Sequence, residues 1–175
     1  MLTERITKRF SKHHRHMLAY MDALEEVVRD ISDSTRPREG FELHSRLVNE
    51  FLGFVDTWEV PHEEEEERLL LPILAESLGD EIDPQSRASL LQVRRDHDRG
   101  RQLVETVRDR VRQLDGKKPD DPSQYYDLTA ILTELIWHFR RHVWEEDSVI
   151  LPTAAKRIPA SNRIWAAGVE RRASD

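Results

Sequence analysis

Apolar residues recur at helical spacing over four long stretches of this chain, and short segments carrying Pro, Gly, Asp and Ser separate them at 32–40, 79–86 and 115–124. The first stretch reads as a helix over 3–31, with Ile6, Phe10, Met17, Leu18, Met21, Leu24 and Val28 on one stripe. The second reads as a helix over 41–78, through Leu47, Val48, Phe51, Val55 and Trp58. Pro61 interrupts it: the ring lacks the N–H that would bond the carbonyl of Thr57, so the ladder is expected to open and kink there. The third and fourth helices are expected over 84–114 and 125–155. Nothing alternates with period two as a half-buried strand would, and short connectors between long helices favour antiparallel neighbours. The expected fold is all-α, an up-down-up-down four-helix bundle over 1–158. An extension over 159–175 is expected to add a short helix capped by Ser161 or Asn162.

Charge and composition narrow the function. With 27 basic and 34 acidic side chains the formal charge is −7, which sets the chain against nucleic acid and anionic membrane surfaces. No apolar run approaches the roughly 20 residues of a membrane-spanning helix. Residues 1–11 lack the continuous apolar stretch of a secretory signal, so a cytoplasmic location is expected. There is no cysteine. Disulfides, thiolate metal sites, iron–sulfur clusters and thiol catalysis therefore drop out together, and any metal must sit on histidine and carboxylate.

Helical phase sorts the eight histidines. His62 follows Trp58 by four residues, Val55 by seven and Phe51 by eleven, which places it on the buried stripe of the second helix. His97 stands four after Val93 and seven before Val104, and His142 seven after Leu135 and seven before Val149. On the first helix His14 is four after Phe10 and seven before Met21, making it the inward member of the His13, His14, His16 group, with His13 in reserve. Otherwise His13, His16 and His44 are expected on polar, solvated faces, and Met17 and Met21 in the core. His138 lies one turn before His142 on the same face, as a second-shell group or an extra ligand.

Two of the inward histidines head the same pattern. His62 to Pro72 and His142 to Pro152 both read His, Glu at +4 (Glu66, Glu146), an acid at +5, Leu at +9 and Pro at +10. The offset between these histidines is 80 residues, and between His14 and His97 it is 83, so the chain reads as a duplicated helical hairpin. Counted along the helices, the four histidine positions fall at a common height. A run such as Glu63 to Glu67 is ordinarily a solvated face. Of Arg94, Arg95, Arg99 and Arg101 around His97, most are expected at the surface and one against Glu63 or Glu67. Gly100, one turn past His97, either leaves room for a ligand or is merely tolerated.

Four imidazoles and two carboxylates facing inward need compensation, because buried polar and charged groups are costly without partners. A metal supplies it. One ion cannot use six groups arriving from four directions, whereas two ions bridged by Glu66 and Glu146, with two histidines each, use all of them. These ligands fill about eight of twelve octahedral positions and an oxo or hydroxo bridge about two more, leaving about two open.

At these residues the chain resembles the hemerythrin family, specifically its bacterial HHE cation-binding branch, over roughly residues 3–155. The family pattern of one His, His-x3-Glu, one His, His-x3-Glu falls on His14, on His62 and Glu66, on His97, and on His142 and Glu146. The resemblance implies a non-haem di-iron centre of the Fe–O–Fe type that binds O2 or handles peroxide or nitric oxide. Zinc or manganese is the alternative in the same ligands. Family members often carry Lys just before the metal glutamate; here Glu65 and Glu145 stand there. Two functions follow as expectations. One is a peroxide- or NO-directed oxidoreductase; the other is a non-catalytic metal- or O2-sensing module, with the basic tail 156–172 and its Trp165 as the surface a partner reads.

Overall fold

The computed structural model describes residues 2–79, 84–117 and 121–158, with side chains over 9–79, 87–114 and 121–158. Four long helical rods account for nearly all of it, and the described residues contain no strand. The first rod is Leu2–Asp33. The second spans 37–78, the third is Pro84–Lys117, and the fourth spans 123–157. The connector after the first rod is only 34–36, shorter than the polar segment suggested, because Pro37 takes the first helical position, where a missing N–H costs nothing. Gly79, at φ 60°, ends the second rod in a conformation that other residues adopt only with strain. Asp121 Oδ1 accepts the Ser123 backbone N–H at 2.9 Å just ahead of the fourth rod. The expected tail helix at Ser161 or Asn162 lies outside the described residues.

The first rod packs against the second and the fourth, the third against the fourth, and the end of the second against the third. This is the antiparallel bundle that short connectors dictate. Its apolar interior is split in two. The larger cluster joins Met17, Met21, Leu24, Phe51, Val55, Val107, Leu132 and Phe139, among others. The smaller joins Phe10, Leu70, Leu74, Val93, Ile150 and Leu151. On the first three rods a histidine lies between them in sequence, His14, His62 and His97, and on the fourth Glu146 does.

The second and fourth rods are not uniform helices. Each contains π turns, at Val55–Glu59, Glu66–Leu70 and Glu146–Ile150, and each π turn ends two residues before a proline. In all three the residue preceding the proline donates to a carbonyl five residues back: Val60 to Val55, Leu71 to Glu66 and Leu151 to Glu146. A proline removes one donor and its ring crowds the carbonyl four residues back, so widening the preceding turn keeps the other bonds. The opening expected at Pro61 therefore takes the form of a π turn, and Pro72 and Pro152 produce the same. One expectation fails here. Trp58 is 62% exposed rather than part of the buried stripe. The wide turn carries an extra residue, so Glu59, buried, takes the inward position that a regular helix gives to Trp58.

Candidate metal centre

His14 from the first rod, His62 and Glu66 from the second, His97 from the third, and His142 and Glu146 from the fourth are all buried and meet in one layer. His14 Nε2 stands 3.2 Å from His62 Nε2 and 3.0 Å from Glu146 Oε2. His62 Nε2 is 3.6 Å from Glu66 Oε1. His97 Nε2 lies 3.4 Å from Glu66 Oε2 and 3.6 Å from Glu146 Oε1, and His142 Nε2 is 3.2 Å from Glu146 Oε1. The ligand atoms fall into two sets, each with every member within 4.8 Å of the others. One is His14, His62, Glu66 and Glu146; the other is Glu66, His97, His142 and Glu146. Both glutamates belong to both sets. His14, not His13, is the first rod's contribution.

The layer is unsatisfied by its own hydrogen bonds. Both carboxylate oxygens of Glu66, both of Glu146 and the Nε2 of His97 are buried without a hydrogen-bond partner. Several lie close to an imidazole nitrogen, yet none is aligned to share a proton. Orphaned carboxylates in an interior cost several kcal/mol, in the range of about 3–5 once a buried charge is left uncompensated. Nitrogen and carboxylate oxygen converging from four helices are the donor set of a first-row transition ion. The residues present thus fit a metal.

Left to themselves, the six groups can balance charge only with protons. Burial opposes charge on His14, but its bond to Asp147 and the nearby Glu146 push its pKa up to about 10. Against the same penalty, Glu146 and Glu66 push His97 up to about 11. Burial and the charge of Glu146 hold the Glu66 carboxyl well above the usual carboxylate range. Glu146 is held well below it, because His142, His14 and His97 outweigh its burial. Burial, with His13 beside it, keeps His62 neutral.

The acid at +5 of the repeated pattern has a role that the sequence did not disclose. Asp147 Oδ1 accepts the Nδ1–H of His14 at 2.9 Å, and Glu67 Oε1 accepts that of His97 at 2.9 Å. Each His-x3-Glu helix therefore orients the single histidine of another rod: the second serves the third, and the fourth serves the first. Fixing the proton on Nδ1 aims the Nε2 lone pair into the layer. Glu67 is suited to this, since His97 and Arg101 overcome its partial burial and lower its pKa.

The acidic run is not a solvated face. Glu63 Oε2 accepts from Arg101 at 2.6 Å, Glu67 Oε1 from Arg101 at 3.2 Å, and Glu65 pairs with Arg9; only Glu64 stands exposed. Of the four arginines around His97, Arg101 is thus the one that pairs with the run's carboxylates, while Arg94 donates to the backbone carbonyl of Glu67 at 3.5 Å. His13 is not solvated either: its Nε2 lies 2.5 Å from Glu59 Oε2, and its ring sits 4.1 Å from that of His62. The π turn that expels Trp58 brings in Glu59 to make this pair. His44 bonds Asp30 at 2.8 Å, and His16 is exposed as expected.

His138 belongs to neither set of ligand atoms. Its Nε2–H donates to the carbonyl of Asp96 at 2.8 Å, and its ring lies parallel to that of His142 at 6.3 Å. That bond occupies its Nε2 and holds the ring beside His142, outside both sets. Gly100 serves His138 rather than a ligand: a Cβ there would stand 3.3 Å from His138 Nε2 and 3.3 Å from Phe139 Cζ. Gly100→Val is expected to lower stability by about 1–3 kcal/mol through overpacking. An unchanged denaturation midpoint would show that the third and fourth rods part there without cost.

The family model of the hemerythrin HHE cation binding domain matches residues 5–154, a span that takes in all but the outermost ends of the four rods and all six converging residues. The chain belongs to the hemerythrin HHE cation-binding family. Within that class it is a helical bundle with a buried histidine–glutamate metal-binding site. Searches of curated proteins and of solved structures find no match to the chain. No helix among the described residues is long and apolar enough to cross a membrane.

Proposed function

We propose that this protein holds a pair of iron ions bridged by Glu66 and Glu146, with His14 and His62 on one ion and His97 and His142 on the other. In this reading it binds O2 or handles peroxide or nitric oxide there. The observation that carries the proposal is the partition of six buried residues into two sets that share both glutamates. When bound, such a pair supplies electron exchange with a small ligand. The chain does the rest. Glu66 and Glu146 offset the cationic charge, Asp147 and Glu67 hold two imidazoles in the ligating tautomer, and the apolar clusters on either side keep bulk water out.

Elemental analysis of protein purified without added metal tests the core of the proposal, with about two ions per chain expected. A predominance of zinc or manganese would replace iron while leaving the ligands as assigned. Iron-loaded protein should then show near-ultraviolet bands that change on adding peroxide or nitric oxide; unchanged bands with neither consumed would sink the redox reading. A sensor that only stabilises its bundle on loading is the second reading, favoured by the placement of the layer astride the core. It predicts a shifted melting temperature without turnover.

The orienting acids are testable separately. Asp147→Ala and Glu67→Ala should each weaken metal retention by about 10- to 100-fold, measured by competition with a coloured chelator. Because they serve histidines in different sets, each single variant should loosen about one ion per chain and the double variant both. A double variant that still holds one ion as tightly as the unaltered chain would mean that the two carboxylates act on one ion.

A further inference from the structure

A groove of about 1050 Å³ runs between the first and second rods, and its lining comes entirely from those two. Its origin is local. Ala19 and Ala23, one turn apart, leave the first rod low, and the π turn at Val55–Glu59 swings Trp58 outward to form a wall. His62 is the one member of the converging six that lines it.

The volume is that of a site for an organic molecule, several times what a diatomic or peroxide needs. The walls are ringed: Tyr20 and Phe54 stand 4.7 Å apart, and His13 stacks on Phe54 at 5.5 Å with an interplanar angle of 16°. Trp58, mostly in water, is a large aromatic surface without a core to cover it. The charge is lopsided. In a chain of formal charge −7, Arg9 and Lys12 line the groove, with the imidazoles of His13 and His16 beside them, against the single acid Glu65. Glu65 is taken by Arg9, and His13 by Glu59. Lys12, exposed, is the cation outside those pairs, and the exposed imidazole of His16 stands one turn from it.

We infer that this groove binds a small aromatic carboxylate, its ring against Tyr20, Phe54 and Trp58 and its anionic end toward Lys12 and His16. Ring-on-ring contact supplies affinity and the Lys12 ammonium selects the charge. The inference stands apart from the metal reading, because every groove residue it uses lies outside the ligand sets.

The test is calorimetric titration of 2-naphthoate into the full chain, both as purified and after stripping with chelator. Saturable binding at one site is expected in both forms. Ala19→Trp, at an exposed helical position, fills the groove and should weaken binding about tenfold or more. Lys12→Glu should weaken it about fivefold, and 2-naphthylmethylammonium, with the same ring and opposite charge, should bind at least about tenfold more weakly. Circular dichroism checks that both variants keep their helices. Absence of saturation, equal binding of the ammonium compound, or indifference to Ala19→Trp would each overturn the inference. Loss of metal without loss of naphthoate binding supports it, since the groove is then independent of the centre.

Discussion

Glu66→Gln is expected to leave the metal-free bundle about as stable as before and to strip both metal positions. In the metal-free fold the Glu66 carboxyl is driven well toward its neutral form by burial and by the charge of Glu146, so glutamine, neutral and of the same shape, replaces it with little change. A metal requires the anion. Because Glu66 belongs to both sets of converging atoms, its loss removes a ligand and a negative charge from each ion at once, and metal affinity should fall by more than about 100-fold. His14→Ala is the contrast: it takes a ligand from one set only, so about one ion per chain should survive. Elemental analysis after passage over a chelating resin, paired with denaturant melts of the stripped proteins, reads both halves. If the layer were only a structural hydrogen-bonded network, Glu66→Gln would alter the metal-free melt and leave no stoichiometry to lose. Retention of two ions by the variant would remove Glu66 from its bridging place.

The bundle and the six converging residues were legible because both follow from the 3.6-residue period. His97 and His142 each sit a whole number of turns from apolar neighbours that pack in the core, and a phase argument needs nothing more; His62 also lies inward, although the wide turn at Val55–Glu59 separates it from Phe51. The same argument misplaced Trp58, since it assumes one period along the whole rod and the prolines impose another. Pro61, Pro72 and Pro152 are plain in the sequence, and the fixed interval between each and its π turn is a signal that could have been used. What could not be read was pairing across rods. Asp147 and Glu67 stood in the repeat as acids at +5, but their partners, His14 and His97, lie on other helices, and only packing brings them within 2.9 Å. Glu63, Glu65 and Glu59 are buried for the same reason. Arginines and a histidine from neighbouring rods pair with them, where a composition argument sees only a charged, and therefore exposed, segment.

Metal loading is expected to expel protons, and metal retention to collapse as pH falls. In the metal-free protein His14 and His97 hold protons up to about pH 10 and 11, and Glu66 holds one as well. Asp147 and Glu67 keep the Nδ1 protons, so the ones displaced are those on Nε2, facing the layer. Every such proton competes with a cation, and more than one should be released per pair of ions at neutral pH. Calorimetric loading in two buffers of different ionisation enthalpy counts them; a count of zero would mean that the imidazoles are already bare and that the layer is balanced in some other way. The stability of the two forms should then run in opposite directions with pH. For metal-free protein, the folded pKa values of His14 and His97 lie above the ordinary histidine value of 6.5. Their contribution is therefore whole below about pH 6.5 and is lost as pH rises through about 10 and 11. For loaded protein the ions replace those protons, so stability is lost on acidification instead. The gap between the two melting curves should accordingly widen from acid toward alkaline pH, which a hydrogen-bonded layer with no affinity for metal would not produce.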